Sequence, residues 1–140
     1  MSWDFETDAD YQELLDWASD FVTNSVEPLD HVLGSPYNKS DEQAMAVLRQ
    51  LQQQVRDKGL WACHLGPDLG GPGYGQVKLA LLNEILGRSA WAPSVFGCQA
   101  PDSGNAEILA HYGTEAQKDR YLHPLLNGEI SSCYSMTEPH

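Results

Sequence analysis

The sequence is short of basic residues. Eight Lys and Arg stand against twenty Asp and Glu, for a formal net charge of -12. No Lys or Arg precedes Lys39, whereas nine acids fall between Asp4 and Asp30. A surface this acidic repels nucleic acid and anionic lipid, which excludes both as partners. The N-terminal acids read as the solvated face of a helix. Cysteine is also scarce. Cys63, Cys98 and Cys133 are evenly spaced, but their neighbours differ, so they mark no internal repeat. No Cys-x-x-Cys or Cys/His ligand spacing occurs, so no metal site is expected. Thiols in odd number suit a reducing compartment, and a cytoplasmic protein is the expectation. No apolar run reaches the roughly twenty residues of a membrane span, and the acidic N-terminus lacks the form of a secretory signal.

What is present is enough for one globular domain: 140 residues, 41% of them hydrophobic. Tyr11, Leu14, Leu15, Ala18, Phe21, Val22 and Val26 recur at helical spacing, with Thr7 or Asp8 placed to cap them and Pro28 to end or kink them. Ser40-Asp-Glu-Gln43 has capping-box form ahead of an apolar seam at Ala44, Leu48, Leu51 and Val55, with Gly59 as the stop. Val77 to Leu86 is apolar on most sides and reads as a helix buried within a bundle. A short helix follows Ala100-Pro-Asp-Ser103, and Thr114-Glu-Ala-Gln117 is a second capping box, leading a helix to Pro124. The expected core includes Leu15, Phe21, Leu48, Leu51, Leu81, Ile85, Leu109 and Tyr121. The glycine-rich stretch from Gly66 to Gly75 lacks the Lys-Ser/Thr of a phosphate-cradling loop and reads as a connector.

After the Asn127-Gly128 turn the pattern changes. Ile130-Ser-Ser-Cys-Tyr-Ser-Met-Thr-Glu-Pro139 alternates small polar with apolar residues and closes on a proline, which is a strand pattern. The expected fold is therefore an all-α bundle with one terminal β-segment that lacks a partner within the chain. A lone strand is marginal, so this segment is expected to be the least stable part.

Three blocks carry a resemblance. They are Gly59-Leu-Trp-Ala with Gly70-Gly-Pro-Gly-Tyr-Gly75, His111-Tyr-Gly-Thr-Glu-Ala-Gln-Lys-Asp-Arg-Tyr-Leu122 with Leu125-Leu-Asn-Gly-Glu129, and Cys133 to Pro139. In order and at this spacing they resemble the N-terminal helical part of the acyl-CoA dehydrogenase family, running into its flavin-contacting Thr-Glu-Pro strand. Gln99-Ala-Pro-Asp-Ser-Gly-Asn105 is similar to a branch whose animal members are fused to a phosphotransferase-like kinase domain.

The resemblance implies residues 1–129 as the helical domain and 130–140 as the start of a middle β-domain. It implies FAD as cofactor, an acyl-CoA substrate, an electron-transfer acceptor and a homo-oligomer in the complete enzyme. In that enzyme a carboxylate base removes the α-proton while the β-hydrogen leaves as hydride to the flavin. Matched residue by residue, Tyr134 falls at the aromatic beside the flavin, Met136 at a backbone N–H on its pyrimidine edge, and Thr137 at a hydroxyl facing the N5/O4 region. No catalytic residue is expected in this chain. Glu84 is rejected as the base, which in the family comes from the C-terminal bundle, and His64 and His111 read as structural. The chain alone is expected to be inactive. The alternatives are one half of a split enzyme and a non-catalytic helical interaction module.

Overall fold

The computed structural model describes residues 6–138. Asp4, Pro139 and His140, used in the sequence reading, lie outside them. Helix α1 (Ala9–Phe21) starts where the Asp8 carboxylate accepts the Tyr11 backbone N–H at 3.2 Å, and it continues through a π-helical turn, Val22–Val26. After the short α2 (Leu29–Val32) comes α3 (Glu42–Asp57). Its cap is Asp41, which accepts from Ala44 N at 2.9 Å, and not Ser40 as the capping-box pattern suggested. Both residue types cap well, so spacing alone did not separate the neighbours.

At its other end α3 closes as expected. Gly59 takes φ +77, its N–H reaches the Arg56 carbonyl, and the Leu60 N–H reaches the Val55 carbonyl. That is a Schellman motif, and the buried pair Val55 and Leu60 completes its apolar contact.

The glycine-rich connector makes one 3-10 turn, Pro67–Leu69, and folds back on itself. A Cβ on Gly71 would sit 2.1 Å from the Leu65 carbonyl oxygen, so only glycine permits this approach. Helix α4 (Gly75–Leu86) then packs on α1. The Tyr11 hydroxyl donates to the Lys78 carbonyl at 2.6 Å, and Lys78 Nζ lies 2.7 Å from Asp8. Helices α5 (Ala92–Val95), α6 (Asp102–Tyr112), α7 (Glu115–Gln117), a second π-helical turn (Lys118–Leu122) and α8 (His123–Leu126) complete the bundle. The Thr114–Gln117 capping box forms with both of its bonds. Pro124 does not stop the helix. It stands at the second position of α8, directly behind the π-helical turn, and the helical run continues through it to Leu126.

Two apolar clusters hold these elements. The larger joins α1, α3, α4 and α5 around Trp91, Phe96, Leu82 and Val55; the smaller joins the 62–65 turn to α6 and α8 through Ala106, Ala110, Leu122 and Leu125. Trp61 packs against both. Its indole N–H donates to the Leu126 carbonyl at 3.1 Å, and Arg56 both lies over its ring at 3.7 Å and donates to the same carbonyl.

The expected core holds at Leu15, Phe21, Leu48, Leu51 and Ile85, while Leu81 and Leu109 are half-buried. Tyr121 is 42% exposed, and Leu122 takes the core position instead. A π-helical turn carries one residue more than the α-helical turn that the spacing assumed, which rotates the buried face onward by a residue. Helix α4 is not buried on all sides: Val77 is 78% exposed and only Leu82, Ile85 and Leu86 are fully buried.

The fold is all-α, and no strand forms among the described residues. The expected terminal β-segment does not form as a strand: from Ile130 to Glu138 the chain carries no ladder. It is not free, however. Ser132 is bonded to the helical body.

Candidate functional site

Helix α6 begins at Asp102, and that carboxylate is the hub of the tail's attachment. One oxygen, Oδ1, accepts the Ser132 backbone N–H at 2.7 Å and the Ser132 hydroxyl at 2.6 Å. The other, Oδ2, accepts Gln99 Nε2 at 3.0 Å. One turn on, Asn105 Nδ2 donates to the Ser132 hydroxyl oxygen at 2.8 Å. Lys39 Nζ also donates to the Ser131 hydroxyl. Between Asp102 and Asn105 stands Gly104, where a Cβ would lie 2.5 Å from the Tyr134 hydroxyl oxygen. The tail thus rests on the first turn of α6.

Beyond Ser132 no further hydrogen bond ties the tail to the helical body among the described residues. Tyr134 is 51% exposed and Met136 is 76% exposed; Thr137 is exposed as well. The three residues matched to flavin contacts therefore lie together on one surface segment, close to α6 and outside any closed pocket. Their backbone N–H groups take no partner among the described residues.

Beside this segment is a cavity of about 670 Å³. Helix α3 contributes Leu48, Arg49 and Gln52 among others, and Trp61, His64, Gln99 and the stretch from Leu125 to Ser131 form part of the remaining wall. Three polar atoms in its wall have no hydrogen-bond partner: both ring nitrogens of His64 and the amide oxygen of Gln99. His64, read from the sequence as structural, is half-buried with both ring nitrogens unpartnered. Burial pushes its pKa below the ordinary value of 6.5, so its neutral form prevails at pH 7. His111, by contrast, is exposed on α6.

Burial raises the Cys63 thiol to about 12 and the Cys98 thiol to about 11, which keeps both protonated and poorly nucleophilic. Glu84 is exposed on α4, not buried as its apolar neighbours suggested. No cluster of His, Cys, Asp and Glu among the described residues could hold a metal ion. No helix of the described chain is long and apolar enough to cross a membrane.

Sequence reasoning located the flavin-matched segment but missed what holds it. An Asp in the first turn of a helix is commonplace, and nothing in Asp102-Ser-Gly-Asn105 announces a partner thirty positions away. The unpartnered faces of His64 and Gln99 carry no sequence signal at all, since each depends on what its neighbours fail to offer.

The fold is a helical body from which an exposed Tyr-x-Met-Thr-Glu segment extends without backbone partners among the described residues. The comparisons give the family. The acyl-CoA dehydrogenase N-terminal domain model matches residues 8–129, and the chain belongs to that family. It is 40% identical over 133 residues to acyl-CoA dehydrogenase family member 11 of Gallus gallus, covering 91% of this chain and 17% of that one. It is 37% identical over 131 residues to the "probable acyl-CoA dehydrogenase FadE2" of Mycobacterium tuberculosis, covering 86% of this chain and 30% of that one. The solved structure of a "putative acyl-CoA dehydrogenase" from Mycobacterium abscessus superposes with a TM-score of 0.82 at 36% identity, over 96% of this chain and 36% of that one. The chain thus spans 17%, 30% and 36% of these three proteins.

Proposed function

We propose that this chain is the N-terminal part of a FAD-dependent acyl-CoA dehydrogenase that desaturates an acyl-CoA thioester between its α- and β-carbons, in fatty-acid or related acyl catabolism. One observation carries the reading. Directly after the family-matched body, a Tyr134-x-Met-Thr137 segment stands exposed with its backbone donors unclaimed. Buried and paired, those residues would be ordinary strand; exposed and unpaired, they fit one edge of a flavin. Residues 1–129 then form the helical domain, and 130–140 open a β-domain.

In this reading Tyr134 supplies aromatic surface, Met136 a backbone N–H and Thr137 a hydroxyl. Such a hydroxyl donates without adding charge. Bound FAD supplies the hydride acceptor for the substrate's β-hydrogen. The two shielded thiols stay protonated and Glu84 faces solvent, so none of the three serves as the base. The base, the pyrophosphate clamp and the oligomer-forming bundle belong to the remainder of the enzyme, as does the site for the electron acceptor. The three thiols, all free, suit a reducing, cytoplasmic setting.

The chain alone should purify colourless, bind added FAD weakly and show no turnover. One segment's contacts do not offset the cost of ordering a large cofactor. In the full-length flavoprotein, Thr137→Val should weaken flavin interaction by about 1–3 kcal/mol, because it keeps the side-chain shape and deletes one donor. An unchanged flavin spectrum, reduction potential and rate would leave Thr137 a plain chain residue and remove the argument for contact.

A further inference from the structure

The tail reaches its place without a sheet. A strand normally fixes the register of its side chains by ladder pairing, and here none exists from Ile130 to Glu138. The hydrogen bonds that hold the tail instead fall on two adjacent residues, Ser131 with one from Lys39 and Ser132 with the larger share. Ser132 is bonded through both its N–H and its hydroxyl to a single carboxylate oxygen of Asp102, and its hydroxyl oxygen accepts from Asn105. Bonds from an N–H and an O–H to an ionised carboxylate are short and stronger than neutral ones. Gln99 holds the second carboxylate oxygen, so Asp102 is itself fixed in orientation. Two residues beyond Ser132, the Tyr134 hydroxyl occupies the space that any side chain at position 104 would fill.

From these contacts we infer that Asp102, with Asn105 and Gly104, is the positioning element for the flavin-contacting segment. The first turn of α6 grips Ser132 and seats Tyr134, so that the helical domain presents residues 134–137 in a set register before any β-domain contact. This inference rests on the flavin reading given above. Asp102 acts through Ser132, to which it is bonded. Pre-ordering matters because a segment already held in its bound conformation loses less freedom when the ligand arrives.

The test uses the 140-residue chain in solution by NMR, with FMN at millimolar concentration as the isoalloxazine probe. The wild type should show contacts between the Tyr134 ring and Gly104, and FMN should shift the amide signals of 134–137. Asp102→Ala should abolish the Tyr134–Gly104 contacts and reduce the FMN-induced shifts about three-fold or more. Asp102→Asn should rescue most of both, because its amide oxygen still accepts from Ser132. Gly104→Ala offers a second route. Its methyl meets only the mobile end of Tyr134, so it should displace that ring and reduce the FMN shifts while α6 stays intact.

Persistence of the Tyr134–Gly104 contacts in Asp102→Ala would overturn the clamp, whatever FMN does. Loss of those contacts with FMN shifts equal to wild type would overturn the positioning role. A wild type whose 134–137 signals ignore FMN while the clamp responds as expected would overturn the flavin direction instead, and the two failures are thereby told apart.

Discussion

Helix α3 starts at a carboxylate cap and ends in a left-handed glycine, with four buried apolar residues between, whereas the segment from Ser131 to Glu138 has neither cap nor ladder and is gripped at Ser132. The difference lies in where the stabilising groups come from. For α3 they are neighbours in sequence: Asp41 serves Ala44, Gly59 closes on Arg56, and the apolar residues recur every three or four positions. For the tail they are distant, since Asp102 lies thirty residues from Ser132 and Lys39 ninety-two from Ser131. Local order of the first kind survives whatever happens elsewhere. Order of the second kind depends on a few distant side chains, Asp102 above all.

The comparison breaks hardest in the body. Trp91 is 1% exposed, packs in the larger cluster, and donates its indole N–H to the Gly34 carbonyl at 3.1 Å. Trp91→Ala should cost about 3–5 kcal/mol in urea unfolding, through the cavity it opens. Next comes the cap. Asp41→Ala should cost about 1 kcal/mol. Ser40→Ala, its neighbour in the capping-box pattern, should stay within about 0.5 kcal/mol. Equal costs at the two positions would mean that Ser40 shares the capping in solution.

The pH dependence of stability tests the unpartnered His64. Its folded pKa is depressed by burial, so below pH 6.5 the unfolded chain binds a proton that the folded chain does not. Its contribution is therefore complete above pH 6.5 and declines as pH falls toward the lower folded value. His64→Phe should flatten the unfolding midpoint over that window. The same slope in both proteins would place the titration elsewhere. The smallest effect is expected from the tail. Ending the chain after Gly128 should change stability by under about 0.5 kcal/mol, because the bonds of Arg56 and Trp61 to Leu126 remain. A larger loss would show that the tail supports the body, and not only the reverse.

Much of the bundle was legible because its signals are periodic and local. Asp8, Gly59 and Thr114–Gln117 act at their expected positions, since caps need only a neighbour's N–H or carbonyl. The misreadings share one cause. Tyr121 yields its core place to Leu122 after a π-helical turn, and Val77 stays exposed although its helix is apolar nearly all round. Both depend on how an element is rotated against its partners, which composition does not encode. Helix α5 escaped notice because four residues are too few to show a period, although its Ala92 and Val95 are fully buried.

The sequence by itself determined the helical class, the places where most helices start and stop, and the Tyr134-to-Thr137 segment as the place to look for function. These follow from side-chain pattern and backbone preference, which act over a few residues. Only the tertiary structure decided that Asp102 and Asn105 hold Ser132, that Gly104 leaves room for the Tyr134 hydroxyl, and that His64 and Gln99 share a cavity without partners. Each is a meeting of groups far apart in the chain. Such meetings are set by the packing of whole helices, and no local preference of the residues involved foretells them.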